Sequence, residues 1–288
     1  MSKPIFVTGA TGNVGQAVIA LLSEQSIPMR IAARRPPIES SSSLAQTVHF
    51  DFTKPETYAP AISGCRAVFL LRPPAIANTK QTLNPFIDIA YESGAEQIVF
   101  VSVTGADQNP FVPHHAVEQH LKACNRTYTI LRPGFFAQNL GDAYRTDIVA
   151  DHRIYLPAGT GNVCFIDARD IAEVAVLSLC FPEQHQGKGY TLVGPEALAF
   201  HQVAELLSQQ LNQQITYVPA SVFGYWRHLK KRGLPTTQIA VQTVLHFGIR
   251  FGQANIQDRT LVELLPHPPR RLSDYIRDHL HLWQLSPH

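Results

Sequence analysis

Three glycines near the start of the chain, Gly9, Gly12 and Gly15, follow the spacing Gly-x-x-Gly-x-x-Gly. A glycine-rich turn between a strand and a helix lets the backbone approach phosphates, and the helix start offers N–H groups and a positive dipole end. The spacing is one residue longer than the commoner dinucleotide fingerprint, and the alternative is a structural turn that simply needs glycine. The motif follows the first predicted strand and opens the first predicted helix, and this position favours a dinucleotide site over a structural turn. The residues predicted to form the site are Gly9, Thr11, Gly12, Asn13, Val14 and Gly15.

Two arginines, Arg34 and Arg35, follow the second predicted strand, where sites for NAD usually carry an acidic residue that holds the ribose hydroxyls. A guanidinium binds a 2′-phosphate through two hydrogen bonds and keeps its charge at neutral pH. The sequence therefore favours NADP(H) over NAD(H), the alternative being a solvated arginine pair at a strand end. Asp51 and Phe52 end the third predicted strand and are candidates to border the adenine. A nearly equal alternative is that Asp51 is an acidic loop residue and Phe52 a core phenylalanine.

A helix predicted after the fifth strand carries His114 and Glu118, which are four residues apart and hence on one face. Reduction of a carbonyl needs a proton donor near the developing oxyanion, and histidine titrates near neutral pH. His114 is a candidate to donate a proton or to bind the cofactor ribose, with Glu118 orienting it. The alternative is a solvated histidine at a helix start with a surface partner, and Lys122 is a weaker candidate for catalysis.

Five short apolar runs in the first 103 residues alternate with helical patterns, which indicates a parallel sheet covered on both faces. The predicted fold class is α/β, a Rossmann-type doubly wound parallel sheet with a smaller, mainly helical C-terminal lobe. We expect residues 1–195 to form the dinucleotide-binding domain, with 135–166 contributing to a cleft, and 196–288 to form a substrate-side lobe. Strands are predicted at 4–8, 29–33, 47–52, 67–71, 98–103, 128–131 and 190–193, helices at 55–63, 79–93, 114–124 and 168–180, and a serine-rich loop at 38–46.

The chain has 288 residues, a formal net charge of +2 and 45% hydrophobic residues. It can bury a large core, and its charge argues against nucleic acid or a membrane surface as the main partner. The four cysteines form no CxxC pair and the thirteen histidines show no metal-site spacing, so no metal is expected. Without a signal peptide or a run of about 18 apolar residues, a cytoplasmic protein is predicted. Its expected partner is a small-molecule substrate, and a homodimer or a regulatory protein partner stays open.

Several segments carry a family resemblance. The run Val7-Thr8-Gly9-Ala10-Thr11-Gly12-Asn13-Val14-Gly15 resembles the start of the atypical short-chain dehydrogenases, specifically the NmrA-like group. The segments similar to later parts of that group are 70–74 (LLRPP), 101–106 (VSVTGA), 131–139 (LRPGFFAQN), 165–172 (FIDARDIA) and 190–195 (YTLVGP). The resemblance runs from residue 3 to about 210 and more weakly to the end.

This resemblance implies an NADPH-binding Rossmann domain and a small lobe that closes over an apolar substrate cleft. It implies that segments at the carboxyl ends of parallel strands line the cofactor, where ligands of open α/β sheets bind. The implied cofactor-lining residues are Leu71, Arg72, Pro73, Ser102, Val103, Thr104, Pro133 and Phe135. Phe136 and Asn139 are candidates for substrate contacts, and Phe223, Tyr225 and Trp226 are either further cleft residues or core packing.

The family contains reductases of quinones and other small electrophiles, and also redox-linked regulators that bind the dinucleotide without turnover. The helix with His114 lacks the Tyr-x-x-x-Lys pair of the familiar short-chain dehydrogenases, but a quinone needs less help than a ketone. The leading hypothesis is an NADPH-dependent oxidoreductase of a small hydrophobic electrophile such as a quinone or enone, and the alternative is a non-catalytic NADP(H) sensor. An isomerase or an ether reductase would need a lysine base, and Lys122 is the only lysine on that helix. The missing Tyr-x-x-x-Lys pair disfavours an epimerase.

Overall fold

The computed structural model describes residues 3–35 and 44–284, so most of the predicted serine-rich loop lies outside the described residues. The chain divides into two compact units. The first comprises Met1–Pro133 and Ala168–Leu192, and the second comprises Gly134–Asp167 and Val193–His288. The segment 135–166, which we expected to contribute to a cleft, belongs to the second unit.

The chain alternates between strands and helices over most of its length. The strands are β1 (Ile5–Val7), β2 (Met29–Ala33), β3 (Ala45–His49), β4 (Ala67–Leu71), β5 (Gln97–Val101), β6 (Thr127–Pro133), β7 (Phe135–Phe136), β8 (Arg153–Leu156), β9 (Asn162–Ile166), β10 (Lys188–Leu192), β11 (Ala197–Ala199) and β12 (Thr216–Pro219). The α-helices are α1 (Asn13–Glu24), α2 (Tyr58–Ile62), α3 (Leu83–Glu92), α4 (Pro113–Ala123), α5 (Arg145–Asp151), α6 (Ala168–Cys180), α7 (Pro182–His185), α8 (Phe200–Leu211), α9 (Val222–Lys231), α10 (Thr236–Ile249), α11 (Thr260–Leu264) and α12 (Leu272–Asp278).

The first unit contains a seven-stranded sheet in the order β3-β2-β1-β4-β5-β6-β10. Every neighbouring pair of its strands is parallel, and the strand order reverses between β1 and β4. The central strands are buried from end to end, as in a parallel sheet with both faces covered. Helices flank the sheet, and the predicted α/β class with its doubly wound parallel sheet is confirmed.

An aromatic cluster fixes the chain just beyond β3. Phe50, Phe52 and Phe86 pack edge to face, with ring centroids 4.7–5.6 Å apart. The Tyr58 hydroxyl, beside these rings, donates to the carbonyl of Phe52 at 2.7 Å. The third strand was predicted at 47–52, but β3 ends at His49. The Phe50 N–H still bonds to the Ala33 carbonyl of β2, and the chain then turns, with the rings of Phe50 and Phe52 buried in this cluster. Asp51, between these two buried phenylalanines, is partly exposed.

The second unit has two small sheets and a helical C-terminal part. β9 pairs with β11 antiparallel and with β7 parallel, and β8 pairs with β12 parallel. Helix α8 packs on β12 and on α12, and α9 packs on α10. The core of this unit is built from large apolar side chains such as Phe165, Phe200 and Tyr275. The strands β7 to β9 and the helix α5 had no counterpart among the predicted elements. In the part of the chain that is described, no helix is long and apolar enough to cross a membrane.

Candidate functional site

The glycine loop joins β1 to α1 and is closed by a hydrogen bond from the Gly12 N–H to the Gly9 carbonyl at 3.0 Å. Gly9 has a φ of +70°, and a Cβ there would lie 2.4 Å from Cδ2 of Leu71. A Cβ on Gly15 would lie 2.1 Å from the Gly9 oxygen, so the helix and the turn touch backbone to backbone. A Cβ on Gly12 would meet only the Gly9 oxygen, at 3.6 Å. Gly9 and Gly15 are therefore required by the fold itself, whereas Gly12 leaves space beside the loop.

The start of α1 is suited to an anion. Gly12 is its N-cap, and in the described residues no side chain caps this helix and no acidic residue lies in its first turn. The first N–H groups of a helix lack carbonyl partners within the helix, and they form the positive end of its dipole. Thr11 and Asn13 are exposed beside the turn, and Val14 is buried beneath it. The loop fits the pyrophosphate of a dinucleotide, since backbone, space and dipole converge at Gly12.

Thr8 fixes the end of β1 against β4. Its hydroxyl donates to the carbonyl of Phe69 at 3.1 Å and accepts from the N–H of Leu71 at 2.8 Å. Leu71, a predicted cofactor residue, is thus held beside Gly9. Thr8 was not among the predicted site residues, although its position directly before the first glycine was a usable signal.

The arginines predicted to recognise a 2′-phosphate are exposed at the end of β2. The nearby Asp51 carboxylate accepts from the N–H of Thr53 at 2.9 Å and from its hydroxyl at 2.8 Å. The pKa of Asp51 is lowered mainly by that N–H, with smaller effects from Lys54 and Arg34. Arg34 therefore lies within electrostatic reach of Asp51. The Phe52 ring is buried in the aromatic cluster and packs in the core, and its position beside the adenine stays a prediction.

His114 lies at the start of α4 and pairs with Arg72 from the end of β4. The Arg72 Nε–H donates to His114 Nε2 at 3.2 Å, so the imidazole carries its hydrogen on Nδ1. His114 is 8% exposed, and Nδ1 has no hydrogen-bond partner among the described residues. Burial and, to a lesser degree, the Arg72 charge lower the pKa of His114 to about 3. His114 is thus neutral at physiological pH, and its Nδ1 atom is itself buried.

Glu118 does not orient His114, contrary to the prediction. Its carboxylate forms a bidentate pair with Arg132, at 2.9 Å from Nε and 2.7 Å from Nη2, and accepts from the Ser102 hydroxyl at 2.6 Å. The side chain of Glu118 is completely buried, and the pair raises the pKa of Arg132. Lys122 lies 4.0 Å from the same carboxylate and is partly exposed. The Glu118 carboxylate therefore clamps α4 to the ends of β5 and β6.

The remaining predicted cofactor residues of the first unit stand at the ends of β4, β5 and β6. The Thr104 N–H donates to the carbonyl of Pro133 at 3.0 Å, and its hydroxyl donates to the carbonyl of Arg132 at 3.2 Å. The Arg72 guanidinium also donates to the carbonyl of Pro73 at 3.1 Å. Val103 is half-buried between these contacts. The structure thus places these residues on the same edge of the sheet as the glycine loop.

Three predicted residues lie in the second unit. Phe135 and Phe136 form β7, and Asn139 belongs to a 3-10 turn at Ala137–Leu140; all three are half-buried. The Phe135 ring packs edge-on against Phe165, with centroids 5.5 Å apart.

The sequence patterns did not predict a buried polar cluster that lies beside Phe135. Both ring nitrogens of His246 bond to tyrosine hydroxyls, Nε2 to that of Tyr144 and Nδ1 to that of Tyr225 at 3.2 Å. The imidazole also packs on the Phe135 ring, with centroids 5.9 Å apart, and burial lowers the pKa of His246 to about 4. Tyr225 is therefore a core residue. No spacing could have revealed the cluster, since Tyr144 and His246 are 102 residues apart.

A glycine cradle of this kind at the carboxyl edge of a doubly wound parallel sheet defines a dinucleotide-binding Rossmann domain. The chain belongs to the family described as NAD(P)H-binding, which matches residues 9–179. Its resemblance to the NmrA-like group of atypical short-chain dehydrogenases is confirmed at the level of the fold, since a mutant NmrA structure has a TM-score of 0.74 at 15% identity, over 98% of this chain and 96% of that chain.

Relatives of similar length match between 80% and 98% of this chain. An uncharacterized oxidoreductase, YesF, of Bacillus subtilis is 28% identical over 98% of this chain and 96% of its own length. An NAD(P)H azoreductase of Xenophilus azovorans is 31% identical over 80% of this chain and 82% of its own length. Among solved structures, the NADPH-dependent quinone oxidoreductase from Escherichia coli complexed with NADPH has a TM-score of 0.84 and 25% identity, over 96% of this chain and 99% of that chain.

Proposed function

We propose that this chain is an NADPH-dependent oxidoreductase that reduces a small hydrophobic electrophile such as a quinone or an enone. The observation that carries the proposal is the Gly9–Gly15 cradle, whose open side at Gly12 fits a pyrophosphate. The azoreductase and quinone oxidoreductase relatives support NAD(P)H-dependent reduction over the alternative of a non-catalytic sensor. When bound, NADPH supplies a hydride to the acceptor.

Arg34 and Arg35 are proposed to set the preference for NADPH. Both guanidiniums are exposed at the end of β2, where a 2′-phosphate on the adenosine ribose would be recognised. Asp51 is held by Thr53 and lies within electrostatic reach of Arg34. A charge-assisted pair with the phosphate is worth about 1.5–3 kcal/mol, or roughly 10- to 100-fold in affinity. NADH, which lacks this phosphate, gains nothing from the pair.

His114 is proposed to stabilise negative charge on the acceptor or to bind the cofactor ribose, as a neutral imidazole that carries its hydrogen on Nδ1. Arg72 fixes this tautomer by donating to Nε2, and it disfavours the imidazolium by its charge. The clamp between Glu118 and Arg132 holds α4, and with it His114, against the sheet edge. Glu118 is thus a positioning residue. In the second unit, Phe136 and Asn139 remain the proposed substrate contacts.

The proposal is tested by mixing the purified protein with NADPH or NADH and following nicotinamide absorbance as quinones and enones are added. We expect oxidation of NADPH with little oxidation of NADH. Arg34→Ala should weaken NADPH binding about 10- to 100-fold and leave NADH binding unchanged. Arg259→Ala, which removes an exposed arginine of the second unit, is the matched control and should change neither. Tight NADPH binding without reduction of any acceptor would support a sensor, and equal loss of both nucleotides in Arg34→Ala would refute the phosphate contact.

A further inference from the structure

Three potential metal ligands from two helices meet on the surface of the first unit. Asp88 comes from α3, and His120 and the neighbouring Cys124 come from the end of α4. His120 Nε2 lies 2.7 Å from Asp88 Oδ1, and Cys124 Sγ lies 3.8 Å from the same oxygen. All three ligand atoms lie within 4.8 Å of one another, and within the described ranges no other group of three such residues does so.

The helices explain why the three side chains converge. His120 and Cys124 are four residues apart, so they lie on one face at successive turns of α4. Helix α3 packs against α4 and brings Asp88 opposite them. The side chain of Asp88 is 48% exposed and that of His120 is 27% exposed, so a cation can reach them from solvent. This pairing across two helices is invisible to a search for ligand spacing along the chain.

We propose that Asp88, His120 and Cys124 bind a divalent cation of the Zn²⁺ type. Zinc takes thiolate, imidazole and carboxylate ligands in tetrahedral geometry, at about 2.3, 2.0 and 2.0 Å. Ligand atoms around such an ion are about 3.3–3.6 Å apart. The oxygen and nitrogen must therefore separate by about 0.6 Å from their hydrogen-bonded distance, and the sulfur must approach slightly, movements that side-chain rotation supplies. The fourth position is left to water.

The groups around the site indicate what the cation replaces. Binding displaces the Cys124 thiol proton and replaces the two hydrogen bonds to Asp88, one from His120 and one from Cys124, by three metal–ligand bonds. The Arg126 guanidinium opposes a cation, but it lies over the Tyr91 ring, 5.1 Å from its centroid. The bound ion would tie α3 to the end of α4, away from the proposed reaction, so the site stands independently of that proposal.

The test is a titration of the reduced protein, without a histidine tag, with Co²⁺ as the spectroscopic probe. We expect one equivalent to give the visible bands of tetrahedral cobalt and a thiolate-to-cobalt band in the near ultraviolet, both removed by Zn²⁺. Excess Zn²⁺ should raise the melting temperature by roughly 3–8 °C, because it binds only the folded state.

Substitutions of the three proposed ligands test whether these side chains bind the cation. Cys124→Ser should abolish the thiolate band, and His120→Gln and Asp88→Asn should each weaken binding at least tenfold. Cys180→Ser is the control, since Cys180 is a half-buried cysteine of α6 outside the cluster. Metal-free melting temperatures show whether each variant is folded. An octahedral spectrum without a thiolate band, a band that survives in Cys124→Ser, or one that is lost in Cys180→Ser would overturn the proposal.

Discussion

Substitution by alanine should affect stability at Gly15 but hardly at Gly12. In Gly15→Ala the new methyl would lie 2.1 Å from the Gly9 oxygen, whereas ordinary contact begins at 3.4 Å, so the loop or the helix must move by about 1.3 Å. Such overpacking costs about 1–3 kcal/mol of unfolding free energy. In Gly12→Ala the methyl meets only one atom at 3.6 Å, and the backbone there is extended with φ −96°. Its stability should change by less than about 1 kcal/mol.

The affinity for NADPH should fall in both variants, but for different reasons. The Gly12→Ala methyl projects into the space through which a pyrophosphate reaches the loop, so NADPH affinity should fall at least about tenfold, or 1.4 kcal/mol. Gly15→Ala should lose both stability and affinity, because the whole cradle is displaced. Urea unfolding measures the first quantity, and titration followed by nicotinamide fluorescence measures the second. A Gly12→Ala protein that binds NADPH as tightly as the wild type would refute the cradle. A Gly15→Ala protein of wild-type stability would refute the backbone contact.

Three further outcomes follow from the buried polar groups. Glu118→Gln leaves Arg132 without its main countercharge and should lower the unfolding free energy by about 3–5 kcal/mol in urea titrations; a loss below about 1 kcal/mol would contradict the clamp. His114 and His246 have pKa values of about 3 and 4 when folded, against 6.5 for a free imidazole. The unfolded chain therefore binds more protons between about pH 6.5 and pH 4, so the unfolding free energy falls on acidification. The loss is about 2 kcal/mol per histidine at pH 5, and His246→Phe should reduce this pH dependence. Because His114 stays neutral, the rate of quinone reduction should show no inflection from this group between about pH 5 and 8, although His114→Ala should lower kcat roughly 100-fold. An inflection near pH 6.5 that is lost in His114→Ala would show an imidazolium donor instead.

The glycine loop and the parallel sheet could be predicted from sequence because both depend on local signals. An apolar run, three glycines and a following amphipathic helix are read within about twenty residues of each other. The partners of Glu118 and the position of the Phe52 ring could not be predicted in this way. Helical spacing placed Glu118 on the face of His114, but burial of its charge required a guanidinium, which Arg132 supplies from a separate strand. Phe52 ends an apolar run, and only the packing of α3 against it decides that its ring turns inward.

The connectivity of the sheet has a consequence for synthesis of the chain. The edge strand β10 pairs with β6 along its whole length, from Lys188 opposite Thr129 to Leu192 opposite Pro133. Between these two strands the chain leaves the first unit for Gly134–Asp167 and returns. A ribosome therefore releases β6 with one open edge and must add more than fifty residues before its partner emerges. Unpaired edges template association with other chains, so this interval is the stage of biogenesis at which the nascent protein is most exposed to aggregation.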